Sequence, residues 1–128
     1  MRVFLDTSAF LFFITDSERL SVEARKAFTN MDNELVLSIA SLWEITIKAS
    51  LGKLELLRPF EKFIPEQLKE NEISILPIEL SHLSKLIKLP FHHRDPFDRL
   101  IIAQSIAEGH PIISCDSAFS RYSTEVIW

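Results

Sequence analysis

The chain is poor in cysteine and glycine: Cys115 is the one cysteine, and Gly52 and Gly109 are the only glycines, in 128 residues. A single cysteine excludes an internal disulfide framework, and at the end of an apolar run it reads as a small buried filler. With so few glycines there is no glycine-rich loop to cradle a phosphate. No apolar run reaches the ~18 residues of a membrane span, and Phe10-Leu11-Phe12-Phe13-Ile14 falls far short of it. The N-terminus carries neither the basic region nor the apolar stretch and cleavage site of a secretory signal, so the cytoplasm is the expected address. Positive charge is not in excess either, with a formal net charge of −4. What remains is an ordinary folded composition, 47% hydrophobic and 25% charged, which argues against disorder. The length fits a single domain over residues 1–128 with a real core.

Short β-type runs stand at about 2–5, 35–38, 73–76, 111–115 and 125–127. They are near-continuously apolar and do not alternate, as expected of strands buried on both faces. Helical stretches lie between them. Ile39, Leu42, Trp43, Ile47 and Leu51 recur at helical spacing, with Ser38 as N-cap and Gly52 as stop. Pro59 suits the first turn of a helix over about 59–71, and another runs over about 79–88. The best-marked helix opens at Asp95-Pro96 and ends at Gly109, and a short turn covers about 117–121. The alternation predicts an α/β fold of three layers, a mainly parallel central sheet flanked by helices.

Against this apolar background four acids stand out. Asp6 ends the first strand, Asp116 follows Ile112-Ile113-Ser114-Cys115, Asp98 heads Leu100-Ile101-Ile102-Ala103, and Glu44 lies between Trp43 and Ile45. Charges at the edges of core elements are costly unless paired or bound to a cation. Asp6 and Asp116 lie at the carboxyl ends of strands, where open α/β sheets bind ligands. Each acid also has a duller role open to it. Asp6 can cap the helix that begins near Ser8, although Thr7 and Ser8 can serve equally well. Glu44 can pair with Lys48 on a helix surface, and Asp116 can simply form a turn, with the Ser114 hydroxyl nearby. Of Asp95 and Asp98, the first takes the capping role and the second points along the buried side of its helix. Asp6, Glu44, Asp98 and Asp116 are therefore the candidate catalytic and metal-ligating set. Oxygen donors favour Mg²⁺ or Mn²⁺.

Residues 81–99 hold a local excess of base, with Lys85, Lys88, Arg94 and Arg99 and, alongside, His82, His92 and His93. Such a rim can hold a phosphate backbone next to an acidic pocket, since binding follows local potential. Arg94, Arg99 and Lys48 are the candidate substrate contacts. Adjacent histidines rarely serve one ion, so His92-His93 reads as exposed loop and not as zinc site.

Leu5-Asp6-Thr7-Ser8-Ala9, Ser41-Leu42-Trp43-Glu44-Ile45, Lys48-Ala49-Ser50-Leu51-Gly52-Lys53-Leu54, His92-His93-Arg94-Asp95-Pro96-Phe97-Asp98-Arg99-Leu100-Ile101-Ile102-Ala103-Gln104 and Ser114-Cys115-Asp116 occur in that order. Together they resemble PIN-domain proteins of the VapC type, toxins of type II toxin–antitoxin pairs, across essentially the whole chain. The resemblance implies that Asp6, Glu44 and Asp98 are core metal-binding acids and that Asp116 is the more variable fourth. It also implies Mg²⁺- or Mn²⁺-dependent endoribonuclease activity, a homodimer, and inhibition by a small VapB-type antitoxin. The chemistry expected of the acids agrees, with a metal-bound water attacking an RNA phosphodiester. Two alternatives stand beside it. One is a non-catalytic PIN-like metal-binding scaffold. The other is a phosphoacceptor signalling domain, which would need its acceptor acid after the middle strand, where this chain has Pro77-Ile78-Glu79.

Overall fold

The computed structural model describes residues 1–128. Five strands, β1 (Arg2–Leu5), β2 (Glu34–Ser38), β3 (Ile73–Leu76), β4 (Ile112–Ile113) and β5 (Val126–Ile127), form one sheet in the order β3-β2-β1-β4-β5. Every pairing is parallel. Six helices surround it: α1 (Thr7–Ile14), α2 (Val22–Thr29), α3 (Ile39–Ser50), α4 (Phe60–Glu70), α5 (Leu80–Ile87) and α6 (Pro96–Glu108). The α/β class, the three layers and the parallel sheet are those read from the sequence.

The strand sequences explain why both sheet faces are covered. Successive side chains alternate between faces, so Val3 and Leu5 enter one core while Phe4 enters the other. Leu35 and Leu37 likewise oppose Val36, and Ile113 opposes Ile112. The first core is closed by Phe10 of α1, Ala24 and Phe28 of α2, Ile45 of α3, and Phe63 and Ile64 of α4. The second is closed by Ile101 and Ile102 of α6, with Leu89, Phe119 and Tyr122.

Local chemistry sets the helix ends. The Ser38 hydroxyl accepts the Ala40 N–H at the start of α3. Asp95 accepts the N–H groups of Phe97 and Asp98, Pro96 fills the first turn, and Gly109 closes α6 in the left-handed region at φ 72°. Three expectations shift. Helix α2 has no counterpart in the sequence reading; it is only eight residues long and capped by Ser21. Strand β4 is two residues long instead of the run 111–115. Pro59 precedes α4 as its cap and does not stand in its first turn.

Phe10 is fully buried, so Phe10→Ala should destabilise the protein by about 3–5 kcal/mol through lost contacts and the cavity left behind. Met31→Ala, at a site 95% exposed, should stay within about 0.5 kcal/mol. Urea unfolding of both variants checks the contrast, and equal effects would place the core elsewhere.

Candidate metal centre

The strand order creates the site. From β1 the chain moves outward through β2 and β3, then returns to place β4 on the other side of β1. At such a reversal the connections leave β1 and β4 in opposite directions and open a crevice beyond their carboxyl ends. Asp6 follows β1 directly, and its N–H bonds to the Ile113 carbonyl of β4 at 3.0 Å. Asp116 stands just beyond β4 and opens the 3-10 turn Ser117–Arg121. Asp98 comes from the first turn of α6 and Glu44 from the middle of α3.

Asp6 is buried, and one of its oxygens caps α1 by accepting the Ala9 N–H at 2.6 Å. The capping role, set against a chemical one in the sequence, is thus filled by Asp6 itself. Burial pushes its carboxyl up to about 6, against the opposing pull of the Ser114 hydroxyl and the Ala9 N–H; the charges of Asp116 and Glu44 add to the rise. Asp98 is pushed further, to about 7, first by burial and then by the charge of Asp95. His93 opposes that rise, while Glu44 and Asp6 add to it. Through these mutual repulsions all four acids act within one electrostatic neighbourhood. Shifts of this size, in a cleft and among like charges, mark functional sites more often than structural ones.

Glu44 is not a surface partner for Lys48. It is 4% exposed, and its Oε1 accepts the Thr7 hydroxyl at 2.7 Å. Lys48 reaches in from the half-exposed side to Oε2 at 2.7 Å, and that bond, before any longer-range attraction to Asp95 and Asp98, raises its amine above the usual lysine range. Thr7, read from the sequence only as an alternative cap, is thus a partner of Glu44, and its place directly after Asp6 is the signal for that role.

Asp116 accepts the Ala118 N–H at 2.9 Å through Oδ1 and meets His93 Nε2 at 2.8 Å through Oδ2. Burial raises its carboxyl, but these two donors outweigh burial and leave it below the usual carboxylate value. His93 also lies 3.2 Å from Asp98 Oδ2. The ligand-type atoms of His93, Asp98 and Asp116 all fall within 4.8 Å of one another, the tightest such group in the chain.

Several sequence expectations need correction. His93 is not an exposed loop residue; it faces the acids, whereas His92 is exposed and packs edge-on against Tyr122. Arg99, expected at the substrate, is 7% exposed. Its guanidinium donates to the carbonyls of Pro90 and Leu89 at 2.9 and 3.2 Å and lies over the Phe91 ring. It holds the loop before α6. His82 is fully buried beside Glu79, off the basic rim, and Cys115 is exposed where a buried filler was expected. Arg94 and Lys48 keep exposed surface, Lys48 at the acids and Arg94 one residue from His93.

Comparison with known proteins gives a consistent frame. The family model for the PIN domain matches residues 3–125. Ribonuclease VapC16 of Mycobacterium tuberculosis (strain ATCC 25618 / H37Rv) is 33% identical over 60 residues, a stretch covering 47% of this chain and 43% of that protein. Among solved structures, VapBC2 from Rickettsia felis bound to a DNA fragment from its promoter aligns with a TM-score of 0.73 at 16% identity, over 98% of this chain and 97% of that one. DNA-bound VapBC from Salmonella typhimurium aligns at 0.70 and 16% identity, over 98% and 96%. At such identities the structural likeness establishes the fold alone.

Asp6 and Asp98 keep their protons to about pH 6 and 7 when folded, whereas carboxyls near 3.8 lose them when unfolded. The unfolded chain therefore ionises first, and stability should fall as pH rises from about 4 to about 7. Asp98→Asn removes that liability. In EDTA it should be about 1–3 kcal/mol more stable than the wild type above pH 7, with the gap closing below pH 4. Denaturant unfolding across that range checks the sign; a wild type that is the more stable protein at pH 8 would refute it.

Proposed function

This chain belongs to the PIN domain family, and from that premise we propose that it is a divalent-cation-dependent endoribonuclease serving as the toxin of a toxin–antitoxin pair. The observation that carries the proposal is the shared electrostatic neighbourhood of Asp6, Glu44, Asp98 and Asp116, drawn from four separate segments, within which Asp98 and Asp116 lie at ligand distance of one another and Asp98 is raised to about 7 by burial and like charge. Lys48, on Glu44, is the one lysine or arginine paired within this group.

The donor set fits a hard cation. Its members are carboxylate oxygens, their charge exceeds what Lys48 offsets, and Mg²⁺ or Mn²⁺ prefers such ligands. The residues that would hold the ion are Asp6, Glu44, Asp98 and Asp116. Bound there, the ion supplies an acidified water as nucleophile and positive charge against the phosphodiester. The protein's own groups do the rest. Thr7 and Lys48 fix the two oxygens of Glu44, Ala9 N–H and Ser114 orient Asp6, and the closed apolar layers keep the carboxylates in a low-dielectric edge where charge acts strongly. Lys48 and Arg94 have the exposed charge needed to place an RNA backbone across the acids.

The toxin assignment draws support from ribonuclease VapC16 and from the VapBC complexes that share the fold. A groove of about 380 Å³ beside α1, lined by Leu11, Phe12, Arg19, Leu54, Leu56 and Phe63, offers an apolar seat for an antitoxin segment. Exposed Leu80, Leu83, Ile87 and Phe91 offer a surface for a homodimer. No helix is long and apolar enough to cross a membrane, and an enzyme acting on cellular RNA would work in the cytoplasm.

Asp6→Asn and Asp98→Asn should each lower Mg²⁺-dependent RNA cleavage by about 100-fold or more, since metal charge stabilisation is worth several kcal/mol and each 1.36 kcal/mol is tenfold. EDTA should abolish wild-type cleavage, and both variants should retain the wild-type circular dichroism spectrum. Cleavage at wild-type rates by either folded variant would sink the proposal.

A further inference from the structure

Asp98 and Asp116 come from different segments, and His93 lies between them, hydrogen-bonded to Asp116 and in close contact with Asp98. Its Nε2 lies 2.8 Å from Asp116 Oδ2 and 3.2 Å from Asp98 Oδ2. The other ring nitrogen settles where the proton is. Nδ1 accepts the backbone N–H of Asp95 at 3.1 Å, and a backbone N–H can only donate. A hydrogen on Nδ1 would face that N–H head-on. The ring hydrogen therefore sits on Nε2 and is donated to Asp116, beside the Asp98 carboxylate. The ring's orientation is held as well, because it packs in a T-shaped pair with the fully buried Phe119, with centroids 6.0 Å apart at 79°.

The other acids need no such help. Asp6 is fixed by Ala9 N–H and Ser114, and Glu44 by Thr7 and Lys48. The Asp98 carboxylate has only the 3.2 Å contact with His93, and Asp116 stands on a half-exposed loop after a two-residue strand. We propose that His93 is a positioning residue and not a metal ligand: anchored at the start of α6 by the Asp95 N–H and bonded through Nε2–H to Asp116, it ties the loop after β4 to α6 and sets the separation of the Asp98 and Asp116 carboxylates. The ring would look like a third ligand on distance alone, since its nitrogen and the two carboxylates lie within 4.8 Å. Its hydrogen occupies the position a metal would need. A donor that orients metal-binding groups in this way changes metal affinity without touching the metal. The inference rests on the cation-binding reading above.

Substitutions separate the two halves of the ring's job. Glutamine carries an amide N–H about as far out as Nε2; asparagine reaches only as far as Nδ1, keeping an acceptor for Asp95 but no donor for the acids. With Mn²⁺ titrated into the metal-free protein and free Mn²⁺ read by electron paramagnetic resonance, His93→Asn and His93→Ala should bind about 10–100-fold more weakly. His93→Gln should remain close to the wild type. Unchanged Mn²⁺ affinity in His93→Asn, or an equal loss in His93→Gln, overturns the proposal. A long-range ¹H–¹⁵N spectrum of the wild type gives an independent reading, with the hydrogen expected on Nε2 both without and with Mg²⁺. A hydrogen on Nδ1 in either state also overturns it. A wild type that binds no Mn²⁺ removes the cation reading instead, while that spectrum still decides where the His93 hydrogen lies.

Discussion

Everything at the acidic edge of the sheet follows from one constraint: carboxylates set at the end of a parallel sheet buried on both faces lose water before they gain partners. The constraint is built into the topology. Because β1 and β4 are neighbours with connections leaving in opposite directions, the residues after them share a crevice, and in this chain those residues are Asp6 and Asp116. The protein answers with neutral donors more than with cations. Asp6 has a backbone N–H and a hydroxyl, Glu44 a hydroxyl and the Lys48 amine, Asp116 a backbone N–H and a ring N–H. Asp98 receives the least, and it is the acid raised furthest, to about 7. Burial and donors act together: with two donors each, the buried Asp6 is still raised while the more exposed Asp116 is lowered.

Capping and chemistry are not rivals at this edge. A carboxylate has two oxygens and about four acceptor positions. Asp6 uses Oδ1 to start α1, and Asp116 uses Oδ1 to start the 3-10 turn. In each case the cap fixes the rotamer and leaves the other oxygen to face its neighbours. A helix start is then a device for aiming an acid, and it places the positive end of the backbone beside a crowded negative cluster. In α6 the roles are divided between two residues, Asp95 capping and Asp98 facing the site, as they are in α3 between Ser38 and Glu44.

This division shows what the sequence made legible. Capping is local, so Asp95-Pro96 at one end and Gly109 at the other marked α6 without tertiary knowledge. The near-continuous apolar runs marked a sheet buried on both faces, and acids directly after such runs marked its carboxyl edge. What stayed hidden depends on contacts made at a distance along the chain. Nothing local tells that Arg99 is held by carbonyls in the preceding loop, or that His93 meets an acid 23 residues away. Exposure was equally illegible where an apolar run ended: Cys115 lies outside and not in the core. Helix α2, eight residues under a lone serine cap, gave too few turns for a period to show.

The remaining question is why such a cluster persists in a fold whose other parts obey their local rules. Elsewhere pattern, caps and packing agree, as in a sequence shaped for one structure. At the switch point they conflict, because the raised carboxyls of Asp6 and Asp98 make the metal-free protein less stable as pH climbs toward neutral. An apolar replacement of Asp98 would relieve that conflict at no loss of a helix cap, since Asp95 caps α6. A ligand that binds only the folded state reverses the balance, adding stability that grows with its concentration over its dissociation constant. For a cation, the charge that weakens the empty site becomes the source of affinity. Binding would also displace the protons that burial retains, so ionisation, cation and fold are coupled through the same oxygens. A cluster with no ligand to hold would carry only the penalty, and the donors arranged around it serve to keep its carboxylates separate and correctly aimed.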